Sequence, residues 1–331
     1  MKNNYLIVNE STDPVYNLAL EEYLLLHFTE GRIVMLWQND NAIIIGRHQN
    51  LPEEIDQDYT REQGIKVVRR TTGGGAVYHD LGNLNYSFIA DYEPGGSMQE
   101  FADAAVEALR SLGVRAEFGG KNDILIDGKK ISGTAQRICG NRMLYHGCLL
   151  FDSDLSRLDR SLRVRPEKYS SRAVKSVRSR VGNLKDYLSE DMGLLQLKEC
   201  LVKAFLQDGK YQILHTKDLV KNKQQEIQKL KHEKYDSWEW NYGASMKYTA
   251  HNCKRFDGGT VEAYMDIRGG KIEKCRICGD FMALRPVEEI ADGLVGTRYR
   301  YEDVLEVLKH FPLFDYFGTI GGHEVASVIC L

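Results

Sequence analysis

Three stretches of this chain carry side chains whose types and spacing could do chemistry on anions. Arg69 to Asp80 reads R-R-T-T-G-G-G-A-V-Y-H-D. Gly73, Gly74 and Gly75 carry no Cβ, so this backbone can take positive φ and let a bulky anionic ligand lie against its N–H groups. Arg70, at the rim of such a cradle, can pair with phosphate or carboxylate oxygens through its fork of N–H donors. The stretch reads as a cradle for an activated acyl group or a nucleotide, although most glycine triplets are tight turns and the flanks must decide. The second stretch is G-G-K-N-D-I-L-I-D-G-K-K-I-S-G-T-A-Q-R, Gly119 to Arg137, where Lys129 and Lys130 follow an Asp127-Gly128 turn. Taken alone, that is an ordinary pair of turn lysines. The third is Y-H-G-C-L-L-F-D-S-D-L, Tyr145 to Leu155, with His146 and Cys148 beside an apolar run. A lone histidine there is more often structural than a base.

The elements that must position these residues can be read in order. Tyr5 to Val8 is a short strand, and Asp13-Pro14 caps and opens a helix to about Phe28. Ile33–Trp37 and Ala42–Ile45 flank a Gln-Asn-Asp-Asn turn, which predicts a hairpin. The polar Gly46 to Asn50 segment leaves that strand either as a surface loop or as a site edge. A helix near Ile55 to Gln63 ends at Gly64, and Ile65 to Val68 is the strand that delivers the arginine–glycine stretch. Leu84 to Ala90, Val114 to Phe118, Asp123 to Ile126, Lys130 to Ser132 and Met143 to Phe151 read as strands, with a helix over Met98 to Leu112. Hairpin-joined strands with helices packed on them predict an α+β fold with a largely antiparallel sheet, not a doubly wound one. Arg178 and Arg180, two apart, would share one face of an extended chain. A helix follows near Leu194 to Leu206, and the lysine- and glutamine-rich Asp218 to Lys234 reads as an exposed helix or linker. Phe256 to Phe281 reads as a small meander, with helices at Val287 to Leu294 and Tyr301 to Leu308. This predicts two domains, 1–246 and a smaller α+β unit, 247–331.

Composition narrows the class. With 331 residues, 43% hydrophobic and 27% charged, the chain can bury a sizeable core. A net charge of −3 gives no global field for nucleic acid or an anionic membrane. Apolar runs such as Ala42 to Ile45 are far too short to span a bilayer, and the start has no signal-peptide core. Seven scattered cysteines suit a reducing compartment, so a cytoplasmic protein is expected.

With the N-terminal D-P-x-x-N-L-A-x-E-E and W-Q-N…I-I-G-R-x-Q-N segments, the motifs G-G-G-A-V-Y-H-D-L-G-N, K-N-D, K-I-S-G-T-A, H-G-x-L-L and S-V-R-S-R-V resemble, in order, those of the lipoate–protein ligase family. The resemblance covers nearly the whole chain, including the small C-terminal domain of the larger bacterial ligases, and implies the α+β fold shared with biotin protein ligases. It implies a two-step reaction. Lipoate attacks the α-phosphate of ATP to give lipoyl-AMP, and a lysine of a lipoyl domain then takes the acyl group. The implied carriers are the acyltransferase subunits of 2-oxoacid dehydrogenases and the glycine-cleavage H protein, served by a monomer.

By the same resemblance, Lys130 holds the catalytic position, where a cation between carboxylate and triphosphate is needed. Arg70, Gly73, Gly74, Gly75, Ala76, Val77, Tyr78, Asn122, Asp123 and Lys130 fall at ATP- or adenylate-contacting positions. Asp123 is the candidate ligand for Mg²⁺, a hard ion suited to oxygen donors. Lys130, His79, His146, Trp37 and Leu149 are the candidates around lipoate, whose tail needs an apolar slot, with Val77 as a further wall. Cys148, where the family more often has a small hydroxyl residue, is expected as a buried small residue. Cys275, Cys278, Cys253 and His251 make a poor zinc set, for lack of a second Cys-x-x-Cys. The rival readings are an ATP-independent octanoyl- or lipoyl-transferase, whose acyl-carrying cysteine is missing at both expected places, and a transferase using preformed lipoyl-AMP. A preference between lipoate and octanoate cannot be read from these residues.

Overall fold

The computed structural model describes residues 4–49, 51–92, 99–119, 122–162, 180–189, 191–206, 209–241 and 250–330. Its strands are β1 (Tyr5–Val8), β2 (Ile33–Trp37), β3 (Ala42–Ile45), β4 (Lys66–Arg69), β5 (Val77–His79), β6 (Asn83–Asp91), β7 (Ala116–Gly119), β8 (Asp123–Ile126), β9 (Lys129–Cys139), β10 (Arg142–Leu150), β11 (Gln212–His215), β12 (Ala250–Phe256), β13 (Gly259–Arg268) and β14 (Lys271–Gly279). The main sheet runs β11-β1-β2-β6-β10-β9-β8-β7. Only β1 pairs in parallel, with β2 and β11; the other ladders of this sheet are antiparallel. The α+β fold with a mostly antiparallel sheet is therefore as the sequence implied.

Alternation along β6 and β10 assigns the two faces of this sheet. Tyr86, Phe88, Tyr145 and Leu149 meet Phe101 and Val106 of the helix Gln99–Arg110 and Leu201 and Phe205 of the helix Leu194–Leu206. On the other face, Met35, Trp37 and Leu144 meet Leu18, Leu24 and Leu25 of the helix Pro14–His27. Asp13 caps that helix, accepting from the Val15 N–H. The helix Lys221–Leu230, in the stretch expected to be an exposed helix or linker, buries Ile227 in the same cluster. Tyr23 donates to Glu226 across this contact.

The hairpin expected between Ile33–Trp37 and Ala42–Ile45 does not form. β2 lies in the main sheet, while β3 runs parallel to β4 and antiparallel to β5 in a separate three-stranded sheet. Residues 38–41 carry the chain between the two. Asn39 is fully buried there, bonded to Asn17 and His79. Polar turn residues signal a change of direction, not which strand the chain pairs with next. The strand expected over Lys130 to Ser132 extends to Cys139, through the small and polar residues 133–137.

β12, β13 and β14 form the C-terminal meander, covered on one face by the helices Glu288–Gly293, Tyr301–Leu308 and Gly322–Ile329. The expected boundary at residue 246 and Arg178 both lie outside the described residues. Cys275 and Cys278 are three apart on β14 and so project to opposite faces. His251 stacks on Tyr264 at 4.2 Å. No helix among the described residues is long and apolar enough to cross a membrane.

Candidate active site

Ladder register places one row of residues across five strands. Trp37 pairs with Asn85, Asn85 with Cys148, Cys148 with Gly133, and Gly133 with Asp123. Residues opposite one another in a ladder share a face, so this row floors a site running from Trp37 to Asp123. Two cavities open above it. A narrow slot of about 90 Å³ is lined by Trp37, Ile44, Val77, His79, Asn85 and His146, among others. A wider cavity of about 370 Å³ is lined by Tyr78, Leu125, Leu150, Leu158, Arg180 and Val181, among others. Ala76, Val77, Lys130, Gly133 and Cys148 border both.

Lys130 sits at the junction. Its Nζ lies 2.7 Å from Asp123 Oδ1, and a Cβ on Gly133 would come within 2.9 Å of that nitrogen. The glycine of K-K-I-S-G thus leaves space for the lysine head above the floor of the site. The main chain of Lys130 is held on both sides, its N–H donating to Arg180 O and its carbonyl accepting from the Gly182 N–H. Asp123 is about a third exposed. Asn122 borders the slot, its amide donating to Thr134 O.

The arginine–glycine stretch is built differently from the expectation. Arg70 is buried, not at a rim. Its guanidinium donates to Ile44 O, Gly73 O and Gly75 O, and its Nε to Thr72 Oγ1. Burial pulls it down to about 10, where it is still a cation at neutral pH. Its donors shape the loop that carries Gly74 and Gly75 to the slot. Of the three glycines only Gly74 has a positive φ, 86°. Gly73 does not border either cavity: a Cβ there would lie 2.8 Å from Ala283 N and 2.9 Å from Phe281 O. Its missing side chain therefore serves contact with the C-terminal domain, and the Gly74 N–H donates to Phe281 O.

Gly46 to Gln49 is neither a free surface loop nor a cavity wall. Arg69 donates to the carbonyls of Gly46, Arg47 and Gln49, and to Trp240 and Asn241. His48 stacks on Phe281 and accepts, through its carbonyl, from the Gly279 N–H. Arg47 pairs with Glu288 at 3.2 Å. Desolvation pushes His48 down to about 3, so it is buried neutral.

A buried chain that sequence reasoning missed braces the slot. Trp37 Nε1 donates to Ser87 Oγ, and Ser87 donates to Glu21 Oε1 at 2.6 Å. Glu21 also takes His146 Nδ1 at 2.9 Å, while His146 Nε2 meets Thr72 Oγ1 at 2.9 Å. Arg70 Nε donates to the same Thr72 hydroxyl. Glu21 was legible in principle, since it falls at helical spacing from Asn17, Leu18, Leu24 and Leu25 on the buried stripe. Ser87 and Thr72 carried no signal of their own. Leu149 is a correction: it points to the opposite face, into the core with Phe205, because odd-numbered residues of β10 face away from the slot. Trp37, Val77, His79 and His146 do line the slot. Cys148, expected only as a small buried residue, is buried and lies between the cavities.

Residues 13–206 match the model of the lipoyl protein ligase A/B catalytic domain, and residues 245–329 match that of the bacterial lipoate protein ligase C-terminus. The chain is 40% identical to lipoate–protein ligase 1 of Staphylococcus aureus, over 97% of this chain and 98% of that protein. It is 39% identical to the lipoate–protein ligase LplJ of Bacillus subtilis, over 96% and 97%. Among solved structures it is similar to P. falciparum LipL1 in complex with lipoate, with a TM-score of 0.79 and 25% identity over 93% of this chain and 95% of that one. A lipoate–protein ligase A bound with ATP matches with a TM-score of 0.63 and 29% identity, over 73% of this chain and 99% of that one. A bipartite archaeal ligase from Thermoplasma acidophilum, described together with its E2 lipoyl domain, matches at 0.64 and 32%, over 76% and 100%.

Proposed function

The chain belongs to the lipoate–protein ligase family, with the catalytic and the bacterial C-terminal domains both present, and from that premise we propose how its two cavities share the reaction. The activity is that of an ATP-dependent lipoate–protein ligase. Lipoate lies in the narrow slot with its carboxylate toward Lys130, and the nucleotide occupies the wider cavity with its α-phosphate toward the same lysine. The carrying observation is the Lys130 amine at the border of both cavities.

In the first step a carboxylate oxygen bonds to the α-phosphorus, the bond to the β-phosphate breaks, and pyrophosphate leaves. Both reactants are anions, so the Lys130 ammonium lowers the cost of their approach and of the charge at the transition state. In the second step the carrier's lysine amine attacks the acyl carbonyl, an amide forms, AMP leaves, and the amine gives up a proton. Lys130, still beside the acyl oxygen, stabilises the negative charge that develops there. Arg70 acts by fixing the carbonyls of Gly73 and Gly75, so that loop N–H groups from Gly75 to Tyr78 can face phosphate.

A magnesium ion fits here only as part of a nucleotide complex. Asp123 is the one carboxylate bordering the wider cavity among the described residues, and phosphate oxygens and water would complete the shell. Bound there, the ion would supply charge neutralisation of the phosphates. The catalytic domain spans 1–246 and the C-terminal domain 247–331, which backs the glycine loop through Phe281 and Ala283 and restricts water access to it. The enzyme works as a cytoplasmic monomer, and its acceptors are the apo lipoyl domains of 2-oxoacid dehydrogenase complexes and the glycine-cleavage H protein.

The test is the intact mass of an apo lipoyl domain after incubation with the enzyme, lipoate and Mg²⁺, with and without ATP. A lipoyl mass gain that needs ATP and disappears in Lys130→Ala is expected. Modification without ATP, from an acylated carrier protein, would overturn the reading in favour of a transferase; modification from lipoyl-AMP alone would remove the first step.

A further inference from the structure

One side chain at the junction of the two cavities has no part in the reaction just described. Cys148 borders both cavities, as Lys130 does, and of the seven cysteines it alone borders either. It lies on the slot face of β10, between His146 and Leu150. In the ladder it stands opposite Gly133, over which the Lys130 amine lies. Opposite residues of an antiparallel pair hold their side chains about 5 Å apart on one face, so the thiol and the ammonium flank the same point. The S–H donates to Gly133 O at 3.7 Å, a long contact that engages the proton and not the sulfur lone pairs.

On the proposed occupancy, that point is where the acyl and phosphate groups meet. The slot side of the junction holds a polar atom left for a bound molecule: His79, 4% exposed, lines the slot, and its Nε2 has no hydrogen-bond partner among the described residues. Lys130, placed to draw charge onto the acyl oxygen, makes the carbonyl carbon electrophilic toward the nearest nucleophile. Before a carrier arrives, the choice lies between water and the thiol beside it. Water wastes the adenylate by hydrolysis, and a closed site works against it. A thiol is intrinsically a strong nucleophile, and a covalent intermediate splits one difficult step into two easier ones.

We propose that Cys148 takes the acyl group from the adenylate as a thioester and holds it for the carrier lysine, a second route beside direct transfer. The inference rests on the two-cavity reading above. The sulfur attacks the acyl carbonyl carbon, the bond from that carbon to the phosphate oxygen breaks, AMP leaves, and the thiol proton passes to water. The carrier's amine then attacks the thioester, an amide forms, and the carbon–sulfur bond breaks. A proton from the amine restores the thiol. No oxidant or reductant is consumed, and each step runs downhill, from mixed anhydride to thioester to amide.

The test is intact mass and peptide mapping of the wild-type enzyme after incubation with ATP, Mg²⁺ and lipoate without a carrier, with pyrophosphate release followed in parallel. An acyl group on the Cys148 peptide is expected, formed only with ATP, removed by neutral hydroxylamine, and discharged when an apo lipoyl domain is added. Cys148→Ser should lose the hydroxylamine-labile adduct; an adduct that persists in this variant overturns the assignment. Pyrophosphate release with no adduct on Cys148 of the wild type overturns the thioester. An acyl group on Lys130 instead, stable to hydroxylamine, overturns it as well. So does an adduct that forms without ATP and is removed by a reductant, which is a mixed disulfide with the dithiolane ring. A thioester that the lipoyl domain leaves in place overturns its role in transfer. No pyrophosphate release at all overturns the adenylation reading beneath it.

Discussion

The two cavities beside Lys130 are built by opposite means. The narrow slot's Trp37, His146 and Arg70 are braced from behind by side chains committed to one another: Trp37 to Ser87, Ser87 to Glu21, Glu21 to His146, His146 to Thr72, Thr72 to Arg70. Each position depends on a partner, so the wall cannot shift piecemeal. The wider cavity is lined mainly by aliphatic groups such as Leu125, Leu150, Leu158 and Val181, packed without directional bonds. Such a surface accommodates a flat apolar ring system with little demand on orientation. On the proposed occupancy, the braced wall faces the acyl chain and the aliphatic one faces the nucleotide. Lys130 belongs to both regions, and Asp123 holds it there.

The comparison can be tested by its expected effects. Removing the shared group should hurt most: Lys130→Ala is expected to lower kcat/KM for pyrophosphate release about 10³-fold with little change in melting temperature. A loss below tenfold would mean that the lysine only lines the cavities. Next comes the braced wall. Glu21→Ala leaves His146 and Ser87 without their acceptor, and about 3 kcal/mol of unfolding free energy should go, as read by denaturant titration. Leu158→Ala, in the packed cavity, is partly exposed to the void and should cost less than that. If the two costs match, the proposed difference in construction fails.

Gly133→Ala probes the border between the regions. The new Cβ meets only the flexible end of Lys130, so stability should hold while kcat falls about tenfold as the amine moves. A drop in melting temperature instead would place the constraint in the backbone. The last effect is spread over pH and concerns the neutral buried histidines. His48 and His79 both sit near 3 in the folded protein, against 6.5 unfolded. The unfolded chain therefore binds more protons between those values, and stability present above about pH 6.5 is lost on acidification toward 3, by roughly 1.4 kcal/mol per pH unit for each histidine. His79→Phe should remove one share of that slope.

Most elements were legible. Asp13-Pro14 marked the first helix, Asp127-Gly128 the hairpin, and Phe256 to Phe281 the C-terminal meander. These signals are local: a cap, a turn needing positive φ at both residues, and an alternation. The hairpin expected across residues 38–41 failed because pairing partners are a non-local choice. For the site, motif order brought Lys130, Asp123, Trp37 and the glycine loop together before any coordinates. The face of Leu149 was misjudged, because an apolar run buried on both sides has no polar alternation to reveal its register.

What the sequence determined by itself was the fold class, the family and most of the residues that border the two cavities, since each was written in local pattern or in motifs kept in order. Only the tertiary structure decided how those residues are occupied. Arg69 and Arg70 stand side by side with the same chemistry, yet one secures the joint around Gly46 to Gln49 and the other the glycine loop. Neither task is written in an arginine. Partners for buried donors come from strands and helices distant in sequence, and sheet register alone fixes which side chains meet across the slot.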